Sequence, residues 1–348
     1  MGNLMGAITL LDGGMGQELI NRGAPRSEEL WSAWALLEDP GLVAAVHADY
    51  VAAGADVLTT NSYATFDNRL GPFGLADRAE ELTRLSGSLA RATVDAAGGS
   101  VRVAGSLPPL RHSYNPEPDG TYAQLHDEYL QMVGHLVDHV DLFVCETMGA
   151  CFEARAAADA ARTTGKPVWV SFTLQGGEGA GLIDGTSFSE ACSVVDADAF
   201  LLNCCPPERI ATALPLLRQA TNLTIGAYAN AFHQMPVGWR GRDGSPLPGA
   251  RTDMGIDPYT RAVMQWVDMG AEVIKIEAPG TGDPIRRSGP FAGPKGVHPT
   301  PQTEQDLSTK FLKRSEGVKS VTLNLKDPAG KKMFLDMTIK DLDLNAKV

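Results

Sequence analysis

The chain has 348 residues, 43% of them hydrophobic and 21% charged, with a formal net charge of −12. That length is enough for a sizeable core in one large barrel or in two domains. The acidic balance argues against nucleic acid or an anionic membrane surface as partner, and no apolar run approaches the ~18 residues of a membrane helix.

The N-terminal stretch "MGNLMGAITLLDGG" has no charged leader region and runs straight into a strand-like segment, so it does not read as a secretory signal. It starts Met-Gly, but Gly6 stands where a myristoylation signal wants Ser or Thr. Five cysteines with no framework spacing suit a reducing compartment, and a cytoplasmic location is expected.

From there, short β-rich runs alternate with amphipathic helical stretches. The runs are "ITLLDGG", "DVLTTNSY", "VRVAGSLPP", "DLFVCETM", "PVWVSFTL", "AFLLNCC", "LTIGAYAN" and "AEVIKIE". Each is nearly continuous in apolar residues and ends in small or polar ones, as expected of parallel strands covered on both faces. Segments such as "DPGLVAAVHADYVAAGA" and "FEARAAADAARTTGK" have helical periodicity. Eight alternations predict an α/β fold, a (β/α)8 TIM-like barrel. The competing doubly wound sheet lacks its fingerprint, because "GGMGQEL" has Leu19 in place of the third glycine. No Walker A, H-E-x-x-H or G-x-S-x-G sequence is present.

A barrel of this kind carries its chemistry at the C-terminal ends of its strands. Those ends hold Asp12, Thr60, Asn61, Glu146, Cys204, Cys205 and Asn230. Asp12 precedes two glycines, where a plain turn would also place it. Glu146 closes an apolar strand, where an unpaired carboxylate is unfavourable and a partner is expected. His112 and His233 fall in predicted loops near the mouth and read as solvated. Cys145, Cys151 and Cys192 fall inside predicted strands or helices and read as core sulfur. A redox pair at Cys204–Cys205 has no C-x-x-C spacing to support it.

Usage of basic residues changes near residue 275. Residues 1–274 hold one lysine (Lys166) and sixteen arginines, whereas residues 275–348 hold ten lysines and three arginines. All five cysteines precede the change. The chain therefore reads as a composite with two parts, a barrel over 1–277 and a Lys-rich, irregular and partly disordered extension over 278–348.

"LLDGGMGQEL", "DVLTTNSY", "CETM", "LLNCCPPERI", "GAYANAF" and "GARTD" together resemble the homocysteine S-methyltransferase family over roughly residues 7–274. The resemblance implies a zinc-dependent barrel that methylates homocysteine to methionine, with homocysteine and a methyl donor as small-molecule partners. "LLNCCPPERI" and "AYANAF" are most similar to the branch that uses a sulfonium donor, S-methylmethionine or S-adenosylmethionine. It implies Asp12 and Glu146 as catalytic groups that hold the substrate. Gly13, Thr60, Asn61, Asn203 and Asn230 would line the pocket, and Cys204 would be a metal ligand. The residue types suit that chemistry: a homocysteine thiol is a weak nucleophile until deprotonated, and Zn2+ stabilises the thiolate. Cys205, on the far side of an extended strand, is expected to be structural. The oligomeric state is left open.

One departure stands out. The family continues after strand eight with an adjacent cysteine pair, whereas this chain reads "KIEAPGTGDPIRRSGP", which puts Glu277 and Ala278 at those places. Cys205 and Glu277 are the secondary candidates for the missing ligands, and neither restores a soft three-thiolate field. The barrel therefore also reads as an amino-acid-binding relic without competent metal, imperfectly closed at its eighth strand and helix. "DMGAEVIKIEAPGTGDPIRRSGP" and "RSEGVKSVTLNLKDPAGKKMFLDM" resemble early blocks of class III CoA-transferases, over about 268–348. The chain ends before the catalytic aspartate of that family, so CoA transfer is not expected. A helix is expected to start near Asp327.

Overall fold

The structure, a computed structural model, describes residues 8–24, 30, 32–117, 119–174, 181–237, 249, 251–254 and 256–275, and three short segments at 291–293, 296–298 and 307–308. The chain divides into two compact units, Met1–Glu277 and Ala278–Val348.

In the first unit, eight parallel strands pair in chain order: β1 (Thr9–Leu11), β2 (Val57–Thr59), β3 (Arg102–Leu107), β4 (Leu142–Met148), β5 (Val168–Phe172), β6 (Ala199–Asn203), β7 (Thr224–Tyr228) and β8 (Val273–Lys275). β8 pairs with β1 through Thr9–Val273, Leu10–Ile274 and Leu11–Lys275, which closes the barrel. Every predicted run thus contains one strand. Closure at β8 is made by backbone groups, which a change of side-chain usage leaves untouched. Whatever helix follows β8 lies outside the described residues.

The helices are α1 (Met15–Asn21), α2 (Ala33–Glu38), α3 (Pro40–Ala53), α4 (Asp67–Leu70), α5 (Ala79–Ala97), α6 (Tyr122–Leu136), α7 (Cys151–Arg162), α8 (Phe188–Val194), α9 (Pro207–Ala220) and α10 (Ile256–Asp268). Local chemistry sets their ends. Asp39 caps α3 by accepting from Leu42 N at 3.0 Å, and α6 starts with a reciprocal Thr121/Gln124 capping box. The two prolines after the cysteines have a similar purpose. Pro206 is extended, and Pro207 is the first residue of α9, where a missing N–H leaves no bond unmade.

Leu11, Val57, Ala104, Leu142, Val144, Trp169, Ala199, Leu201 and Tyr228 form a buried cluster contributed by seven strands. Near the strand starts, the Arg102 guanidinium lies 5.3 Å from the Trp169 ring centroid. In the second unit, β9 (Phe291–Gly293) pairs antiparallel with β10 (Gly296–His298) and β11 (Leu307–Ser308). The helix expected near Asp327 lies outside the described residues.

Two ionisable groups sit unexpectedly inside the fold. His47 on α3 is fully buried with neither ring nitrogen hydrogen-bonded among the described residues, and burial lowers its pKa to about 4. Glu153 on α7 is 3% exposed and accepts from Leu110 N at 2.8 Å and Tyr129 Oη at 3.1 Å. Burial raises its pKa to about 7, against the opposing pull of those two donors. The folded protein therefore keeps a proton on Glu153 where the unfolded chain has lost it, so this group's stabilisation declines as pH rises from about 4.5 to 7. Glu153→Gln removes that dependence. In urea unfolding at pH 4.5 and pH 8, the variant-minus-wild-type stability is expected to rise by roughly 2–3 kcal/mol between the two pH values. An unchanged difference would refute the assignment.

Candidate active site

At the C-terminal end of β1, Asp12 is 2% exposed, and Thr59 on the neighbouring strand engages both its oxygens. Thr59 N donates to Oδ2 at 2.8 Å and Thr59 Oγ1 to Oδ1 at 2.9 Å. The carboxylate is thereby held at the barrel rim by two donors from one residue of the next strand.

The next two residues look equivalent in sequence and are not. A methyl group on Gly13 would lie 2.3 Å from Tyr50 Oη and 2.4 Å from its ring, whereas one on Gly14 would meet nothing within 4 Å. The space above Gly13 is therefore filled by Tyr50 of α3.

Glu146 is half-buried near the end of β4. Ser106 Oγ on β3 donates to its Oε1, and Tyr228 Oη on β7 donates to Oε2 at 3.3 Å. The expected partners of this carboxylate thus include hydroxyls from two other strands. β4 is irregular here: its register with β5 shifts between Cys145 and Met148. Within that bulge Thr147 has φ +63°, rare for a β-branched residue.

The other non-glycine residue with positive φ among those described is Cys204, at +52°. It directly follows β6, so the strand ends at Asn203 and does not extend through the cysteine pair. That left-handed turn, and not strand alternation, parts the two thiols. Cys204 is half-buried, with its N donating to Tyr228 O at 3.4 Å. Cys205 is fully buried, and burial, then the neighbouring Cys204, push its thiol pKa far up. As a secondary metal candidate Cys205 is therefore poorly placed, since ligation needs the thiolate. Burial also raises Cys145, Cys151 (to about 11) and Cys192 (to about 12).

Asn203 joins Thr147 to Cys204. Its Oδ1 accepts from Thr147 N at 3.0 Å and Ser171 Oγ at 2.8 Å; its Nδ2 donates to Thr147 Oγ1 at 2.8 Å and Cys204 Sγ at 3.2 Å. Thr147 Oγ1 also lies 3.4 Å from Cys204 Sγ. Asn203 is fully buried and its neighbours engage all four of its amide positions. The Thr60 hydroxyl bonds Ser62 Oγ at 2.8 Å and accepts from Ser106 N at 3.0 Å. Asn61 differs. Its Nδ2 donates to Ser32 O at 3.0 Å, while its buried Oδ1 has no hydrogen-bond partner among the described residues. Asn230 Oδ1 accepts from Phe232 N at 3.2 Å, a loop-forming bond, and its own N donates to Cys205 O. His233 is exposed.

Ser106, Thr147, Ser171 and Tyr228 were not singled out in the sequence. Their signal was faint: each is an ordinary strand residue whose partner lies 32 to 82 positions away.

Catalytic zinc sites in proteins use three protein ligands and one open position. Among the described residues no group of three His, Cys, Asp or Glu side chains could hold a metal ion. Cys204 is one donor, Cys205 is buried, and Glu277 lies outside the described residues. The described donor set does not fit zinc.

With this geometry in place, comparison with known proteins decides the family. The homocysteine S-methyltransferase family model matches residues 9–274. The chain belongs to the homocysteine S-methyltransferase family. It is 28% identical over 289 residues to homocysteine S-methyltransferase YbgG of Bacillus subtilis, covering 77% of this chain and 89% of that protein. It is 31% identical over 243 residues to the homocysteine S-methyltransferase of Escherichia coli, covering 64% and 78%. The metallated form of the E. coli homocysteine methyltransferase MmuM superposes with a TM-score of 0.65 at 27% identity, over 80% of this chain and 93% of that one. Residues 254–341 match a second model, CoA-transferase family III, which overlaps the first through α10 and β8. Among the described residues no helix is long and apolar enough to cross a membrane.

The Gly13–Tyr50 contact yields a direct comparison. Gly13→Ala is expected to destabilise the protein by about 1–3 kcal/mol through overpacking, while Gly14→Ala stays within about 0.5 kcal/mol of wild type. Thermal and urea unfolding of the two variants side by side measure this; equal effects would show that Tyr50 does not set the constraint.

Proposed function

We propose that this methyltransferase-family barrel binds homocysteine at the strand-end rim and converts it to methionine with a methyl group from a sulfonium donor, S-methylmethionine or S-adenosylmethionine. The observation that carries this reading is the junction of the two strand ends. Thr147, adjacent to Glu146, hydrogen-bonds the Cys204 thiol and the Asn203 amide. The rim carboxylate and the sulfur expected of the family's site thus belong to one connected structure.

The roles follow from charge. Asp12 and Glu146, each held by hydroxyl or amide donors, give the rim a negative field that suits the ammonium group of homocysteine and a cationic donor. The open Oδ1 of Asn61 is a further acceptor for an N–H of the amino acid. In the transfer itself, the homocysteine sulfur, once deprotonated, attacks the methyl carbon in line. The carbon–sulfonium bond breaks as the new S–CH3 bond forms, and a neutral thioether leaves. Confining two small molecules in that alignment is the main contribution such a pocket can make.

A second reading is favoured by the residues after β8. Glu277 and Ala278 stand where the resembled family has its cysteine pair. On that reading the barrel binds homocysteine without turning it over. Calorimetry with L-homocysteine and a methionine-formation assay with each sulfonium donor separate the two. We expect homocysteine to bind, Glu146→Gln to weaken binding about ten- to a hundredfold, and methionine to form with one donor and to be lost in Cys204→Ser. Binding without methionine from either donor would favour the second reading. Absence of binding would overturn both.

A further inference from the structure

We propose that Thr147 is a positioning residue that aligns the thiol of Cys204 with the carboxylate of Glu146. Three independent features converge on it. Its backbone takes a left-handed conformation that a β-branched residue avoids, so the surrounding structure must enforce it. The enforcement is visible: Asn203 grips both the amide N–H and the hydroxyl of Thr147, through Oδ1 at 3.0 Å and Nδ2 at 2.8 Å. The same hydroxyl meets Cys204 Sγ at 3.4 Å, and Cys204 has the matching left-handed backbone on the facing strand end.

Glycine would satisfy the backbone of this bulge without strain. Threonine at such a position is therefore explained by its side chain, which supplies the hydroxyl that Asn203 and Cys204 share. Because Glu146 directly precedes Thr147 inside the register shift between Cys145 and Met148, fixing Thr147 also fixes where the carboxylate emerges, towards Ser106 and Tyr228. One residue thus sets the directions of two groups that β4 and β6 alone would leave independent.

The test uses Thr147→Ser, Thr147→Val and Thr147→Gly in the full chain, with three measurements: melting temperature, calorimetric affinity for L-homocysteine, and a crystal structure of each variant. The affinity measurement rests on the function proposed above, and the crystallographic one does not. Serine keeps the hydroxyl and should preserve both the position of Cys204 Sγ and the affinity. Valine and glycine remove the hydroxyl; in both, Sγ should leave its place beside Asn203 for another rotamer, and affinity should fall at least tenfold. Glycine also relieves the left-handed backbone, so its melting temperature should equal or exceed that of wild type. A merely structural role would tie affinity to stability, and the glycine variant separates them. The proposal is overturned if Cys204 keeps its wild-type position in both the valine and glycine variants. If wild-type protein does not bind homocysteine, the methyltransferase reading fails, while the position of Cys204 in the variants still decides the role of Thr147.

Discussion

The side-chain amide of Asn203 organises the rim of this barrel. One buried group bonds to β4 twice, to Ser171 on β5 and to the sulfur that follows its own strand. An amide in such a place has to be fully partnered, because each unmet bond in a low-dielectric interior is expensive. Complete satisfaction makes the arrangement rigid. It also allows two non-glycine residues to stay in left-handed conformations, each of which disfavours folding by about 1–3 kcal/mol. Strain of this kind at strand ends is common where a fold gives up stability to direct particular side chains.

The carboxylates are set by the same logic. Asp12 leans on Thr59, and Glu146 on Ser106 and Tyr228, so each acid is held by neighbours on other strands. Such bonds keep the groups aimed. The barrel closes around them through backbone pairing of β8 with β1, although β8 lies where the character of the sequence changes. Backbone ladders are indifferent to side-chain identity, but metal coordination is not. That difference explains how a chain can have the family's architecture while its described residues assemble no zinc site. The overlap of the two family matches over residues 254–274 coincides with α10 and most of β8.

Much of the fold was legible in the sequence. All eight predicted strands are present because fully buried parallel strands need continuous apolar runs, and such runs are readable one residue at a time. The rim residues Asp12, Glu146 and Cys204 were equally visible as polar interruptions at the ends of those runs. What escaped was the pairing among side chains. The bonds of Thr60 to Ser106 and of Asn203 to Thr147 cross between strands and have no signal in either residue's own segment. Nothing near Gly13 in the sequence signals that Tyr50 of α3 packs against it. Thr147 attracted no notice, since nothing marks a threonine for a left-handed bulge.

By itself, the sequence determined the alternating strand–helix order, the composite character of the chain and the types of chemistry gathered at one barrel end. These depend on local apolar patterning and on composition, which are properties of neighbouring residues. Only the tertiary structure decided which donors satisfy which acceptors, that Cys204 stands at the rim while Cys205 is sealed in the core, and that the described groups do not encircle a metal. Those outcomes depend on residues tens of positions apart meeting at hydrogen-bonding distance, and the closure of the barrel alone sets that distance.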